Sequence, residues 1–125
     1  VKLTPHFWLD EFSCRDGTPV PARWLARVTC LAEQLEVLRA ELGGKVIKVN
    51  SGYRHPAYNR GVGGGKTSQH LYARAADIVV RGVPARKVHA TILRLVREGR
   101  MRNGGVGRYA TFTHYDIRPK PARWG

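Results

Sequence analysis

Three side chains able to hold a metal ion stand at a suggestive spacing in this chain. His70 and Asp77 lie seven residues apart, with the small residues Ala73, Ala75 and Ala76 between them, and His114 follows in a late β-rich run. Two imidazoles and a carboxylate suit a catalytic zinc site, with one Zn2+ ion on three protein ligands and a fourth position left to water. Such an ion brings the pKa of its water to about 7 and polarises the carbonyl under attack. Spacing alone leaves a plainer reading open. A chain with five histidines supplies such triples by chance, as three unrelated surface or core residues.

The stretch GVGGGKTSQH, ending at His70, imitates a phosphate-binding loop. That loop requires G-x-x-x-x-G-K-[ST] between a buried strand and a helix. Counting back from Gly65-Lys66-Thr67, the first glycine falls on Arg60, and Gly61 leaves one intervening residue too few. Neither flank reads as the required strand or helix, so no nucleotide site is expected. The glycines suit a loop packed closely beside a metal cleft, since glycine adopts turns that other residues resist.

Elements must then carry these residues. Trp24, Val28, Leu31, Leu35, Leu38 and Leu42 recur at steps of four and three, predicting a helix over 22–42 that ends at Gly43-Gly44. KVIKVN (45–50) reads as a short buried strand and 51–69 as a long irregular loop. AADIVV (75–80) reads as a strand, and 84–99 as a second helix burying Val88, Ile92, Leu95 and Val96. Runs 105–109 and 111–118 predict a closing hairpin. Strands and helices that do not alternate strictly point to an α+β fold, one domain over 1–125, with a small, mostly antiparallel sheet packed with two main helices.

Composition narrows the partners. A formal net charge of +13 favours polyanions such as nucleic acid, anionic lipid or wall polymer, or simply a soluble basic surface. No apolar run approaches the roughly 18 residues of a membrane span. No signal-peptide pattern is visible in the first residues, and no nucleic-acid-binding signature accompanies the charge. Cys14 and Cys30 fit either one disulfide, worth about 3 kcal/mol for a loop of ~15 residues, or two structural thiols.

SQHLYARAAD resembles the S-x-H-x-x-G-x-A-x-D motif of the M15 peptidases, zinc enzymes that cut peptidoglycan peptides near D-amino acids. Ser68, His70, Ala75 and Asp77 match, and Ala73 replaces the usual glycine. FWLDEFSCRDGTPVP, SGYRHPAYNRGVGGGKTSQH and GVGRYATFTHYDIRPKPARW are similar, in order, to segments of the YcbK-like branch of that family. The resemblance implies a hedgehog-like peptidase fold with zinc on His70, Asp77 and His114. It also implies a peptidoglycan peptide as substrate and a place in the cell envelope, outside the cell or in phage delivery. Electrostatic attraction to anionic wall polymers, a monomeric state and no specific nucleic-acid partner complete the expectation.

Arg54 matches the arginine used near the scissile carbonyl, to stabilise an oxyanion or hold a carboxylate, unless it merely orders its loop. Ser68 is expected either to bond substrate or to cap a turn. The acidic residue that many M15 enzymes carry three positions before the last histidine is Thr111 here, and the alternative histidine two before it is Phe112. Asp116 remains as the catalytic base. Residues two apart in a strand share a face about 6.6 Å apart, placing it beside His114, where it would take a proton or orient the imidazole. Without a base, the chain would be a non-catalytic, zinc-containing wall-binding module.

Overall fold

In a strand, successive side chains point to opposite faces, and this alternation separates an apolar layer from a polar one here. The computed structural model describes all 125 residues, Val1–Gly125. Strands β1 (Lys2–Thr4) and β2 (Phe7–Trp8) form a small N-terminal hairpin. Helix α1 (Leu25–Glu41) follows a 3-10 turn at Ala22–Trp24. Strand β3 (Ile47–Ser51), helix α2 (Pro56–Gly61) and strand β4 (Ala75–Val80) come next, then helix α3 (Ala85–Arg97). Strands β5 (Gly105–Arg108), β6 (Thr113–Asp116) and β7 (Ala122–Trp124) end the chain.

The main sheet has the order β3-β4-β6-β5-β7, and only the β5–β7 pairing is parallel. This is the expected α+β architecture. Ala76, Ile78 and Val80 of β4, Val106 of β5 and Tyr115 of β6 enter one apolar cluster with Val28, Leu31, Leu35 and Leu38 of α1 and Val88, Ile92 and Leu95 of α3. Burying each large apolar side chain contributes about 1.5–3 kcal/mol, which stabilises helices that would be marginal alone. The residues between these strand positions, Asp77, His114 and Asp116, therefore lie on the opposite face of the sheet.

Several expectations change. The 51–69 segment is not structureless, because α2 forms within it, with Pro56 at its first turn and His55 Nδ1 accepting the Tyr58 N–H at 3.3 Å. Strand β3 is an edge strand in which only Ile47 is buried, since Lys48 alternates with the apolar positions. The closing hairpin is shorter than its two apolar runs, and β7 extends the sheet beyond it. Of the two arrangements left open for Cys14 and Cys30, the structure has the free thiols, and Cys30 Sγ lies 3.3 Å from Arg102 Nη1.

Glu41 ties the end of α1 to the end of α3 through Arg94 (2.5 Å) and Arg100 (2.9 Å). These bonds hold its carboxyl below the ordinary range. A depressed folded-state pKa stabilises the fold above the unfolded value of about 4.3, and the gain is lost as pH falls below it. Thermal melts from pH 7 to 3 should therefore show the wild type's margin over Glu41→Gln shrinking as pH falls. A constant margin would remove this linkage.

Candidate metal centre

Strand register begins the assembly of the site. Antiparallel pairing of β4 with β6 sets Asp77 opposite His114 and Ala75 opposite Asp116. His70 arrives from the 3-10 turn at Gln69–Tyr72, whose first N–H groups are met by Ser68 Oγ accepting from the His70 N–H at 3.3 Å. Ala73 then reverses the chain into β4 at φ 55°, in the left-handed region. That conformation costs a residue bearing a Cβ about 1–2 kcal/mol, which explains the glycine of the motif that this segment resembles. Burial of the Ala73 methyl in the core offsets part of the cost.

The backs of both imidazoles are fixed. His70 Nδ1 lies 2.7 Å from the Gly52 carbonyl oxygen, which can only accept, so Nδ1 donates and Nε2 turns a lone pair to Asp77 Oδ2 at 3.3 Å. Gly52 is required there, because a Cβ would meet the Phe12 carbonyl oxygen at 2.7 Å. His114 Nε2 donates to Asp116 Oδ2 at 2.6 Å, leaving Nδ1 facing Asp77 Oδ1 at 2.9 Å. Each nitrogen is thus an acceptor set against an acceptor unless a cation lies between them.

A proton relieves one such contact. Burial alone would lower the His114 pKa, but its bonds to Asp116 and Asp77 outweigh burial and raise it. Burial would likewise raise the Asp77 carboxyl, but a proton carried on a facing imidazole nitrogen donates to it and holds it well below the usual range. One divalent ion relieves both contacts at once. The three residues are buried and their ligand atoms lie within 4.8 Å of one another. Two imidazole nitrogens and a carboxylate, each imidazole held from behind by an oxygen, fit zinc.

The set lines a cleft of about 600 Å3, together with Gly63–Gly65, Tyr109, Phe112 and Trp124. A smaller hollow of about 310 Å3 adjoins it, and both are lined by Arg54, Val62, Asp77 and Phe112. Arg54 Nη2 sits 3.7 Å from Asp77 Oδ2, while its other nitrogens reach Ser51 Oγ (3.3 Å) and Asn59 Oδ1 (3.4 Å). Ser68 lines the larger cleft while capping its turn. Asn59 Nδ2 also donates to the Gly65 carbonyl at 3.0 Å. A Cβ on Gly64 would strike the Asn59 side chain, so the glycine run closes against the arginine anchor.

A sequence model described as Peptidase M15 matches residues 5–116. The chain belongs to the peptidase M15 family. It is also similar to the zinc D-Ala-D-Ala carboxypeptidase of Streptomyces albus G, with 42% identity over 45 residues, or 36% of this chain. That match spans 18% of the relative's length.

Within this M15 chain, Asp116 does not face the cleft. It is fully buried, and its Oδ1 accepts from Gly105 N–H (2.9 Å), Arg118 N–H (3.1 Å) and Arg118 Nε (2.9 Å). Its Oδ2 accepts from His114 Nε2 and from Arg118 Nη2 at 2.7 Å. Burial would raise its pKa, but the bonds from His114 and Arg118 keep the carboxyl well below the usual range. The expected role of Asp116 as catalytic base finds no support in this geometry, because both of its oxygens are already bonded within the protein. A base needs a free lone pair within reach of substrate, and this carboxylate instead orients His114.

A second cluster escaped the sequence reading. Cys14, Asp16 and His55 also bring ligand atoms within 4.8 Å of one another. His55 Nδ1 accepts the Tyr58 N–H, so its Nε2 carries the proton and donates to Asp16 Oδ2 at 2.6 Å. An imidazole ligating through Nε2 would need that proton on Nδ1, against another N–H. This cluster therefore caps α2 rather than holding an ion. Its sequence signal was hidden, because histidine is not among the usual N-cap residues.

Asp116→Asn should lower zinc affinity by about 10–100-fold, measured by competition against a chromophoric chelator, with little change in turnover at saturating zinc. Lost turnover at full zinc occupancy would return Asp116 to a proton-transfer role.

Proposed function

We propose that this chain is a zinc-dependent peptidase hydrolysing peptide bonds next to D-amino acids in peptidoglycan stem peptides or cross-links. The observation that carries this reading is the pair of rear-held imidazoles meeting one buried carboxylate at an open cleft. His70 Nε2, Asp77 and His114 Nδ1 would hold the ion. Bound zinc supplies a Lewis acid for the scissile carbonyl and a water made acidic enough to attack it near neutral pH.

The remaining roles belong to the protein. Arg54, held by Ser51 and Asn59 at the edge of the ligand set, directs a guanidinium to where negative charge develops on the carbonyl oxygen. Ser68 keeps its hydroxyl proton free for substrate while its oxygen caps the His70 turn. Tyr109 stacks on Phe112 at 4.3 Å between ring centres, giving one wall an aromatic surface. The +13 charge would concentrate the protein at an anionic wall, which supports work in the cell envelope. No helix is long and apolar enough to cross a membrane.

One observation favours a second reading, a zinc-containing wall-binding module of the same fold. Asp77 is the only carboxylate lining either part of the cleft, so no separate base stands ready. Product analysis on defined muropeptides by mass spectrometry separates the two. The enzyme releases fragments, and chelation or His70→Ala stops it, whereas the module binds wall material without releasing any. Hydrolysis retained by metal-free His70→Ala protein would sink the zinc mechanism. Arg54→Ala should lower kcat/KM by about 10²–10³ while leaving zinc affinity intact, and an unchanged rate would remove Arg54 from the transition state.

A further inference from the structure

A further cavity, of about 630 Å3, shares no lining residue with the metal cleft or with the hollow beside it. Trp24, Tyr53 and Tyr72 give it an aromatic lining, and Arg23, Arg60 and Lys66 add three cations. No aspartate or glutamate lines it, and none of the three cations joins an ion pair. A concave, apolar lining with a few polar groups is the usual make-up of a small-ligand site. Positive charge left uncompensated around it favours an anion.

The lining is held in place from several sides. Trp24 ends the 3-10 turn before α1 and meets the rings of Tyr53 and Tyr72 edge-on, at 5.9 and 6.4 Å between centres. Arg23 lies over the Trp24 ring at 4.4 Å, which keeps its guanidinium at the cavity. Arg27 Nη1 donates to the Tyr72 carbonyl at 2.9 Å, tying α1 to the turn that carries His70. Tyr53 is a second, separate sign of a ligand. It is only 7% exposed, yet it lines the cavity and its hydroxyl bonds to no protein group. Buried tyrosine hydroxyls ordinarily find a partner. Burial raises the pKa of this one, so it keeps a proton to donate.

We propose that this cavity binds an acidic saccharide, a sugar ring bearing a carboxylate or a phosphate. A pyranose has apolar C–H faces and a rim of hydroxyls, which suits tyrosine and tryptophan, apolar in body and polar at one end. The acid group would meet Arg23, Arg60 and Lys66, as guanidinium and ammonium groups meet oxyanions. The edge-on rings leave no parallel slot for a nucleobase, and Arg23 already covers a face of Trp24. One segment lines both cavities, with Arg60, Lys66 and Tyr72 here and Gly63–Gly65 and His70 at the cleft. A saccharide held here would thus lie one chain segment away from a peptide at the metal centre. The proposal goes beyond the peptidase reading and does not depend on it.

Calorimetry on the intact protein at about 0.15 M salt tests it. The ligands are diacetylchitobiose, which is neutral, and the same disaccharide carrying a carboxylate or a phosphate. Wild type should bind an acidic form about tenfold more tightly than the neutral one, and the tighter acid identifies the source of the charge. Arg60→Gln combined with Lys66→Gln should erase that preference and leave neutral binding unchanged. Tyr53→Phe, which keeps the ring and removes only the unpartnered hydroxyl, should melt as wild type does and weaken every saccharide. Equal binding of acidic and neutral forms by wild type, or an acid preference untouched by the double variant, overturns the site. So does tripolyphosphate or oligothymidylate binding as tightly as the acidic saccharide, since charge alone would then suffice. Binding is read without turnover, so failure here leaves the peptidase reading standing, and an inactive metal centre leaves this site standing.

Discussion

The confrontation of Asp77 with two imidazole lone pairs is the constraint around which this molecule is arranged. Gly52 and Asp116 occupy the rear nitrogens of His70 and His114, so a neutral ring cannot turn its proton towards Asp77 without losing a buried bond. A buried carboxylate facing two acceptors is costly without a cation. The neighbourhood is built to maintain that arrangement. Gly52 lacks a Cβ so that its carbonyl can lie under His70, and Arg118 holds Asp116 by two parallel bonds so that the carboxylate stays ionised behind His114.

The sheet makes such a polar arrangement affordable to the fold by keeping it on one face. Helices α1 and α3 cover the other face with a continuous apolar layer, in which Ala76, Ile78 and Tyr115 alternate with the site residues. Because the period of a strand is two, the same short segments serve stability and chemistry without competition. Tyr115 lies between His114 and Asp116, yet it points into the core and donates to the Arg102 carbonyl at 2.8 Å.

Above the site, α2 and the glycine run act as one unit. Asn59 joins them, bonding both Arg54 and the Gly65 carbonyl. His55 connects the same unit to the N-terminal loop through Asp16. The cleft and the hollow beside it are therefore bordered by segments far apart in sequence but joined by a few side-chain bonds, and Arg15, Arg54 and Arg118 are among their lining residues.

Much was legible in the residues themselves. The periodic stripes of α1 and α3 predicted both helices because apolar repeats at steps of three and four have few other uses. The apolar run AADIVV predicted β4, and the motif resemblance, more than spacing, pointed to the candidate set of His70, Asp77 and His114 that strand register and the Gln69–Tyr72 turn bring together. Short elements were not legible. Helix α2 has six residues, and β1 and β2 have three and two, too few for a period to emerge. The role of Asp116 was undecidable for a different reason. Its sequence position placed it on the face of His114, but whether its oxygens met substrate or protein depended on Gly105 and Arg118, supplied by a neighbouring strand and by the chain beyond β6. Residue types and the motif they match thus determined which side chains could hold a metal, because ligand chemistry belongs to the residue itself. Only the tertiary structure decided which lone pairs remained free, because hydrogen bonds from distant segments consume them.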